Sequence, residues 1–274
     1  MTFSTEFFFR LFGSYLPQGS IAVLNFGLRI MLILVGLFGQ AVGTASFPFL
    51  ARLVAENKLS EMNRLLNQTL RFIALVIPFS VLFMVLRSEV VRIIFQRGKF
   101  DTIATALTAE VLMYLLVGAF AFAAYTIVVR GYFASQDTLF PALYGTIVVI
   151  LSIPLYLLAM NLLGVRGVAL AVSLSGIFQV SVLYALWNKR SNNTESRRVY
   201  AFYVKIICFA VVLGIFLAWF KSAALFWIDS TTFHGSLMVC FLTGAVFLII
   251  LLTAGYGLKI NEVTELVHRL VKRH

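Results

Sequence analysis

The sequence predicts an all-α protein that crosses a membrane several times, and three observations support this fold class. Hydrophobic residues make up 61% of the 274 residues and charged residues only 12%, against about 25% charged in an ordinary globular domain. Apolar runs of roughly 20 residues recur, each long enough to cross a hydrocarbon core of about 30 Å as a helix. The runs lack the alternation of barrel strands. Since backbone groups in lipid must bond to each other, we predict a polytopic helical membrane protein.

The apolar runs predict seven membrane spans. In chain order, the predicted spans are Ile21–Leu50, Leu70–Leu86, Leu107–Val129, Phe140–Leu162, Val168–Trp187, Val204–Phe220 and Leu237–Tyr256. Asp101–Thr102 precedes the third span and Asp137–Thr138 precedes the fourth. Because aspartate is a preferred residue at helix N-termini, we expect these two segments to begin the helices that follow.

The first predicted span is longer than a straight crossing requires. A helix over Ile21–Leu50 would measure about 45 Å at 1.5 Å per residue, against a core of about 30 Å. Five residues that favour bending or close packing punctuate this span, namely Gly27, Gly36, Gly39, Gly43 and Pro48. We therefore expect the span to bend, tilt or protrude from the membrane.

Lysine and arginine are concentrated in the loops on one side of the spans. The side that carries the C-terminus holds Arg52, Lys58, Arg64 and the basic residues between 189 and 205, whereas the opposite side holds fewer. Because these residues accumulate in cytoplasmic loops, we predict a cytoplasmic C-terminus. The net charge of +11 is then mainly a signal of topology and of contact with lipid headgroups. Nucleic acid is not an expected partner, since the basic residues are spread over separate loops.

Seven spans with a cytoplasmic C-terminus would place Met1 outside. Met1–Gly13 is rich in phenylalanine, yet it is too short to span the membrane and carries Glu6 and Arg10. It also lacks the basic start and the apolar centre of a signal peptide. We interpret it as the end of a helix whose beginning is absent, so the chain is expected to be truncated at its N-terminus.

The residue patterns do not predict catalysis, a metal site or a cofactor. The sequence has neither a nucleotide-binding loop nor a metalloprotease motif, and its three histidines lack the spacing of metal ligands. Cys208 and Cys240 lie in the last two spans, where buried cysteine commonly acts as a small apolar packing residue. We therefore predict that the protein is not an enzyme.

Arg29 is the most informative residue, because it places a charge inside the first apolar run. Ionisable side chains at membrane depth are rare and usually face a bundle interior or a wet cavity. One interpretation is a binding site for an anionic group, since a guanidinium can bind phosphate through two parallel hydrogen bonds. The other is a structural pair with Glu110 or with backbone carbonyls. Asn25 and Glu110 are weaker candidates for substrate binding, and Glu110 could also reach water at the outer end of the third span.

Two amphipathic segments flank the spans. Leu59–Arg71 combines Leu65, Leu66 and Leu70 with charged residues, which predicts a helix on the inner membrane surface before the second span. The tail over residues 260–271 has apolar residues at helical spacing with basic residues nearby. It is interpreted either as a membrane-surface helix or as a solvated helix.

Four segments resemble the motifs of one transporter family. Gly39–Thr44 reads GQAVGT, Pro48–Arg52 reads PFLAR, Phe95–Asp101 reads FQRGKFD and Arg130–Thr138 reads RGYFASQDT. They are similar to the G-x-A-x-G-T, P-x-L-x-R, F-x-R-G-x-F and R-x-F-Y-A-x-x-D-T segments of the MurJ (MviN) lipid II flippases, which belong to the MOP exporter superfamily. The agreement runs in register over about residues 7–187, and it is therefore stronger than any isolated motif.

The resemblance implies a two-lobed transporter of which this chain would hold the C-terminal part. Residues 1–18 would end a truncated span and form an outer loop, and residues 19–190 would form the C-terminal lobe with its five full spans. Residues 191–258 would add two spans that form a groove for a lipid tail, and residues 259–274 would be a cytoplasmic amphipathic tail. An N-terminal lobe would then be a missing partner.

The resemblance also implies a substrate and a mechanism. Members of the family move lipid II, the undecaprenyl-linked peptidoglycan precursor, across the bacterial inner membrane by alternating access. Arg29 aligns with an arginine of their central cavity, so the resemblance implies that it binds the pyrophosphate. Two alternatives stay open: a flippase for O-antigen or exopolysaccharide lipids in the same superfamily, and a membrane scaffold that does not transport.

Overall fold

The computed structural model describes residues 2–257, and all regular secondary structure within that range is helical. The helices are α1 (Thr2–Gly13), α2 (Ser20–Leu34), a π-helix (Val35–Gln40), α3 (Ala41–Ala55), α4 (Leu59–Ile73), α5 (Val76–Val85), α6 (Arg87–Phe95), α7 (Thr102–Leu116), α8 (Ala119–Ala134), α9 (Leu139–Leu163), α10 (Val165–Arg190), α11 (Ser196–Leu225) and α12 (Phe233–Gly257). The predicted all-α class is confirmed. The predicted amphipathic tail lies outside the described residues.

Six helical stretches of the described chain are long and apolar enough to cross a membrane. They are Ser20–Ala55, Leu59–Val85, Leu139–Leu163, Val165–Arg190, Ser196–Leu225 and Phe233–Ala254. The pair α7 and α8 makes a seventh if it counts as one span, although it bends by 44° at its break. The observed stretches overlap the seven predicted spans in the same order, so the chain is a multi-span helical membrane protein.

The first long stretch contains an irregular turn. Between α2 and α3, Val35–Gln40 forms a π-helix, and Gly36 and Gly39 lie within it. A π-helix inserts a wider turn into an α-helix. The stretch of 36 residues is therefore a helix with an internal irregularity, and Pro48 follows farther along, inside α3.

A glycine marks the bend between α7 and α8. The Gly118 amide donates a hydrogen bond to Ser173 Oγ at 3.1 Å, and that hydroxyl donates to the Tyr114 carbonyl at 2.7 Å. A Cβ on Gly118 would lie only 2.7 Å from Ser173 Cα. The bend therefore brings its backbone into close contact with α10, which the sequence pattern did not indicate.

The two predicted helix starts carry capping aspartates. Asp101 Oδ1 accepts a hydrogen bond from the Ala104 amide at 2.8 Å, which satisfies one of the free donors at the start of α7. Asp137 Oδ1 accepts from the Phe140 amide at 3.1 Å at the start of α9. Both predictions are confirmed.

Leu59–Arg71, predicted to lie on the membrane surface, has its apolar side covered by neighbouring helices. This segment is most of α4, which packs against α3, α8 and α11 and buries Met62, Leu66 and Leu70. Its apolar stripe faces neighbouring helices, and α8 approaches it through a glycine, since a Cβ on Gly131 would lie 2.6 Å from Leu66 Cδ1. Together α4 and α5 form one stretch long enough to span.

The core of the described chain is centred on α10. This helix contacts α7, α8 and α9 and buries a row of small residues, including Ala169, Ala171 and Ser173. Close packing through small residues is typical of helices in membranes. The last two helices lie to one side, where α11 packs on α5, and α12 packs on α6 and α11.

Candidate functional site

Arg29 lies on the exposed side of α2, between Leu28 and Ile30, which are both buried. Its guanidinium carbon is 5.9 Å from the centre of the Phe26 ring, within the range of a cation–π contact. Within residues 2–257 it forms no ion pair. Its charge is therefore available to an anion that approaches this face.

The proposed structural pair between Arg29 and Glu110 is not formed. Glu110 Oε2 lies 2.6 Å from Arg166 Nη2 and accepts a hydrogen bond from Arg166 Nε at 2.7 Å. Arg166 stands in the first turn of α10, which packs against α7 and so brings the two side chains together. Both side chains are nearly half-exposed, and such pairs contribute about 0–1 kcal/mol. This part of the sequence interpretation is wrong, because the acid meets a different arginine.

Asn25 is one turn before Arg29 on the same helix and is half-buried. Its side-chain amide donates to the Ile21 carbonyl at 2.8 Å, which is a bond within its own helix. An asparagine that bonds to the preceding turn still has a carbonyl oxygen to accept a bond. Asn25 can therefore complement Arg29 both as an acceptor, through Oδ1, and as a donor, through the second N–H of its amide.

Arg52, a second arginine of the first stretch, forms an ion pair with Glu56. Arg52 Nε lies 2.8 Å from Glu56 Oε1, and Lys58 Nζ lies 2.8 Å from Glu56 Oε2. These hydrogen bonds, first from Lys58 and then from Arg52, lower the pKa of Glu56 to about 2. The carboxylate is shared between two cations, so the charge of Arg52 is less available than that of Arg29.

Two glycines of the first stretch meet neighbouring helices closely. A Cβ on Gly27 would lie 3.1 Å from Val111 Cγ1 on α7. A Cβ on Gly39 would lie 2.9 Å from the Cα atom of Ala123 on α8, so here the helix backbones themselves are in contact. By contrast, a Cβ on Gly36 would meet no atom within 4 Å.

Gly43 makes room for an arginine that the sequence interpretation used only as part of a motif. Arg130, near the end of α8, donates to Thr44 Oγ1 at 3.1 Å and to the Gln40 carbonyl at 3.4 Å. A Cβ on Gly43 would overlap the guanidinium, whose Cζ atom would be 2.8 Å away. The spacing of Arg130 from Gly43 in the chain gave no sign of this contact, since 87 residues separate them.

One side of the first stretch forms a cation-bearing face, which consists of Arg29, Ile33, Leu37, Gln40 and Thr44. The five side chains recur every three or four residues, as one face of a helix requires, and all are exposed. Pro48 continues the face and lacks the N–H that would bond to the Thr44 carbonyl. The face combines a guanidinium that has no ion pair among the described residues with apolar and hydrogen-bonding groups, so it suits an anionic amphiphile.

A cavity of about 450 Å³ lies elsewhere, between α1, α8, α9 and α10. Its walls include Tyr125, Ser152, Tyr156 and Gln179, and its lining contains no charged residue. It therefore does not provide the charge that an anionic ligand needs, and the cation-bearing face is the better candidate site.

The fold and this face together define a multi-span α-helical membrane protein with a cation-bearing face. The sequence model of the family "Lipid II flippase MurJ" matches residues 2–251. The chain belongs to this family.

Individual relatives agree with this assignment. The chain is 26% identical over 250 residues to the probable lipid II flippase MurJ of Vibrio cholerae, covering 90% of this chain and 48% of the relative. It is 29% identical over 176 residues to the corresponding protein of Rhizobium tropici, covering 64% and 33%. The chain thus spans between a third and a half of the length of these curated relatives.

A solved structure shows the same fold. The structure described as "Lipid II flippase MurJ, inward closed conformation" superimposes with a TM-score of 0.63 at 25% sequence identity. The similarity covers 86% of this chain and 48% of that one.

Proposed function

We propose that the protein containing this chain flips lipid II across the bacterial inner membrane by alternating access. The observation that carries the proposal is Arg29, whose guanidinium forms no ion pair within residues 2–257 and lies on an exposed face of a span-length stretch in a chain of the MurJ family. Its role is to bind the pyrophosphate of the lipid through charge-assisted hydrogen bonds. Flipping changes no covalent bond, so the protein acts as a transporter and not as an enzyme.

The proposal includes a second lobe. The cation-bearing face is exposed in the described chain, and a charge at membrane depth needs a polar or watery counterpart. An N-terminal lobe that meets this face would enclose the cavity between the two halves. The matched relatives are two to three times as long as the region they share with this chain, which supports such a lobe.

The lobe can be tested through the mass of the native protein. An antibody raised against a peptide from the loop around Glu195 should detect a membrane protein of about twice this chain's 30.6 kDa, or a 30.6 kDa species that co-purifies with a separate lobe. A 30.6 kDa species that purifies alone and still supports flipping would contradict the two-lobed proposal.

The last two helices are proposed to hold the lipid tail. Large apolar side chains are exposed along both of them, including Val212, Ile215 and Trp219 on α11 and Phe241 and Ile249 on α12. Such surfaces are compatible with a polyprenyl chain and with membrane lipids. We also propose a cytoplasmic C-terminus, as the distribution of basic residues suggests.

Removal of the Arg29 charge tests the function directly. We expect Arg29→Ala to reduce flipping by at least about ten-fold, because a charge-assisted hydrogen bond contributes about 1.5–3 kcal/mol. Arg29→Lys should keep part of the activity, since it retains the charge without the bidentate geometry. The measurement is the fraction of lipid II accessible at the outer leaflet in cells that depend on the full-length variant.

The matched control for this test is Arg198→Gln, which changes an arginine at the start of α11 whose side chain is 78% exposed and lies 3.8 Å from Glu195. It should flip lipid II at the wild-type rate. Wild-type flipping by Arg29→Ala at equal membrane abundance would refute the assigned role of Arg29. Absence of flipping by the parent protein itself would favour the scaffold alternative.

A further inference from the structure

A buried ion pair joins the last two helices to the rest of the chain. Glu89 on α6 is only 2% exposed, and its Oε2 atom lies 2.7 Å from Lys221 Nζ on α11. The same ammonium donates to the carbonyl of Val85, the last residue of α5, at 2.8 Å. Lys221 therefore ties the end of α11 to both α5 and α6.

A basic residue of α6, Arg92, extends this connection to α12. Arg92, one turn after Glu89, donates to the Ser230 carbonyl and to Ser236 Oγ, the latter at 3.1 Å. Ser236 is fully buried and donates to the same Ser230 carbonyl at 2.7 Å. Through these two charged residues, α6 contacts α11, the loop that follows it and the first turn of α12.

The rest of this contact is apolar. A cluster of Leu82, Leu86, Leu213, Leu217, Val239 and Phe247 fills the space between α5, α11 and α12. In lipid, apolar side chains gain little from one apolar partner over another. A buried ion pair does discriminate, because a shift of one helix would leave a charge buried without its partner. The polar contacts, more than the apolar cluster, therefore distinguish one position of α11 and α12 from another.

We propose that Glu89 and Lys221 are positioning residues that hold α11 and α12 in one orientation on the lobe. The pair acts at the outer end of α11, and Arg92 holds the adjoining loop. By fixing the two helices, the pair sets the shape of the surface that receives the lipid tail. The last step rests on the proposed function, whereas the positioning itself does not.

The native Cys240 reports whether α12 stays in place. It is half-buried and packs against the apolar cluster. The experiment measures the rate at which N-ethylmaleimide alkylates Cys240 in the detergent-purified native protein that contains this chain, with Cys208→Ser in the background. We expect Glu89→Gln and Lys221→Gln each to be alkylated at least about five-fold faster than the parent, because local opening exposes the thiol. The double variant E89K/K221E should return the rate to within about two-fold of the parent.

An apolar pair separates positioning from stability. In E89M/K221M no charge is left without a partner, so the melting temperature should stay within a few degrees of the parent. Alkylation of Cys240 should nevertheless be as fast as in the single variants, since the discriminating contact is gone. Arg166→Gln, which breaks an ion pair elsewhere in the chain, is the control and should leave the rate unchanged. Parental alkylation rates in both single variants, or in E89M/K221M, would overturn the positioning role.

Flipping measured in the same variants tests the link to transport. We expect Glu89→Gln to reduce flipping and E89K/K221E to restore it in parallel with the alkylation rate. Fast alkylation with parental flipping would overturn the tail-receiving role of α11 and α12 while leaving the positioning intact. If the parent protein does not flip lipid II while the alkylation results hold, the proposed function fails and the positioning role stands.

Discussion

The role open to a charged residue in an apolar stretch depends on whether a neighbouring helix supplies an opposite charge. Arg29 and Glu110 are both charged residues within predicted spans, but Glu110 is paired with Arg166, whereas Arg29 is exposed and contacts the Phe26 ring. The difference arises because α10 approaches α7 and does not cover the outer side of α2. At this scale the candidate site is reduced to Arg29, with Asn25 as an acceptor and a donor.

The glycines of the first stretch also differ in their surroundings, and this yields a prediction. A Cβ at Gly39 would meet the Ala123 backbone at 2.9 Å, so α8 would have to move. We expect Gly39→Ala to destabilise the protein by about 1–3 kcal/mol, as overpacking does, with a lower melting temperature in detergent. Gly36→Ala is the matched control, because its Cβ would meet nothing within 4 Å. Equal melting temperatures for the two variants would contradict the close approach of the backbones.

Among the elements, α4 and α10 are joined by a buried network of amides and aromatic side chains. Asn67 Oδ1 accepts hydrogen bonds from Tyr184 at 2.7 Å and from Asn193 at 2.9 Å, and Asn67 Nδ2 donates to Asn193 at 2.9 Å. One turn earlier, Asn63 accepts from Trp187 Nε1 at 3.0 Å. The network fixes the loop between α10 and α11, so the last two helices are held here as well as at α6.

Loss of the central amide should therefore weaken the fold. We expect Asn67→Ala to remove the hydrogen bonds that Tyr184 and Asn193 make to this amide, at about 0.5–1.5 kcal/mol for each bond, while Asn193 keeps its bond to Asn188 at 2.7 Å. The melting temperature of the detergent-solubilised protein should fall clearly below that of Gln68→Ala, which changes an exposed amide on the same helix. A melting temperature for Asn67→Ala that equals the Gln68→Ala value would show that the network contributes little.

At the scale of the whole molecule, α11 is attached to the rest of the chain by polar contacts near both of its ends. Tyr203 donates to the Leu70 carbonyl at 3.0 Å near one end of α11, and Lys221 pairs with Glu89 near the other. These two residues are 18 positions apart, or about 27 Å along a helix, which is close to the thickness of the hydrocarbon core. The two polar contacts are therefore about one hydrocarbon thickness apart along α11, and Leu213 and Leu217 of the apolar cluster lie between them.

The proposed orientation can be measured with single cysteines at the two ends of α11. With Cys208→Ser and Cys240→Ser in the background, Thr231→Cys should react with a membrane-impermeant maleimide applied from the periplasmic side. Glu195→Cys should react only after the membrane is permeabilised, because a span of 30 residues places its two ends on opposite sides. The reverse labelling pattern would contradict a cytoplasmic C-terminus.

The sequence alone was sufficient for the fold class, the order of the spans and the family, because each depends on residues close together in the chain. A run of apolar residues forms a helix through bonds four residues apart, and the Asp101 cap acts over three. Motifs such as GQAVGT are likewise local. Arg29 was found in the same way, as one charge inside one run.

The tertiary structure decided which of these residues meet. Glu110 pairs with Arg166 across 56 residues, Asn67 with Asn193 across 126 and Glu89 with Lys221 across 132. Pairings of this kind depend on how the helices pack, and several arginines could have reached Glu110 equally well from the sequence. The bend at Gly118 and the burial of α4 were hidden for the same reason. A local pattern determines that a helix forms, whereas the partner of each of its faces is set by the packing of the whole chain.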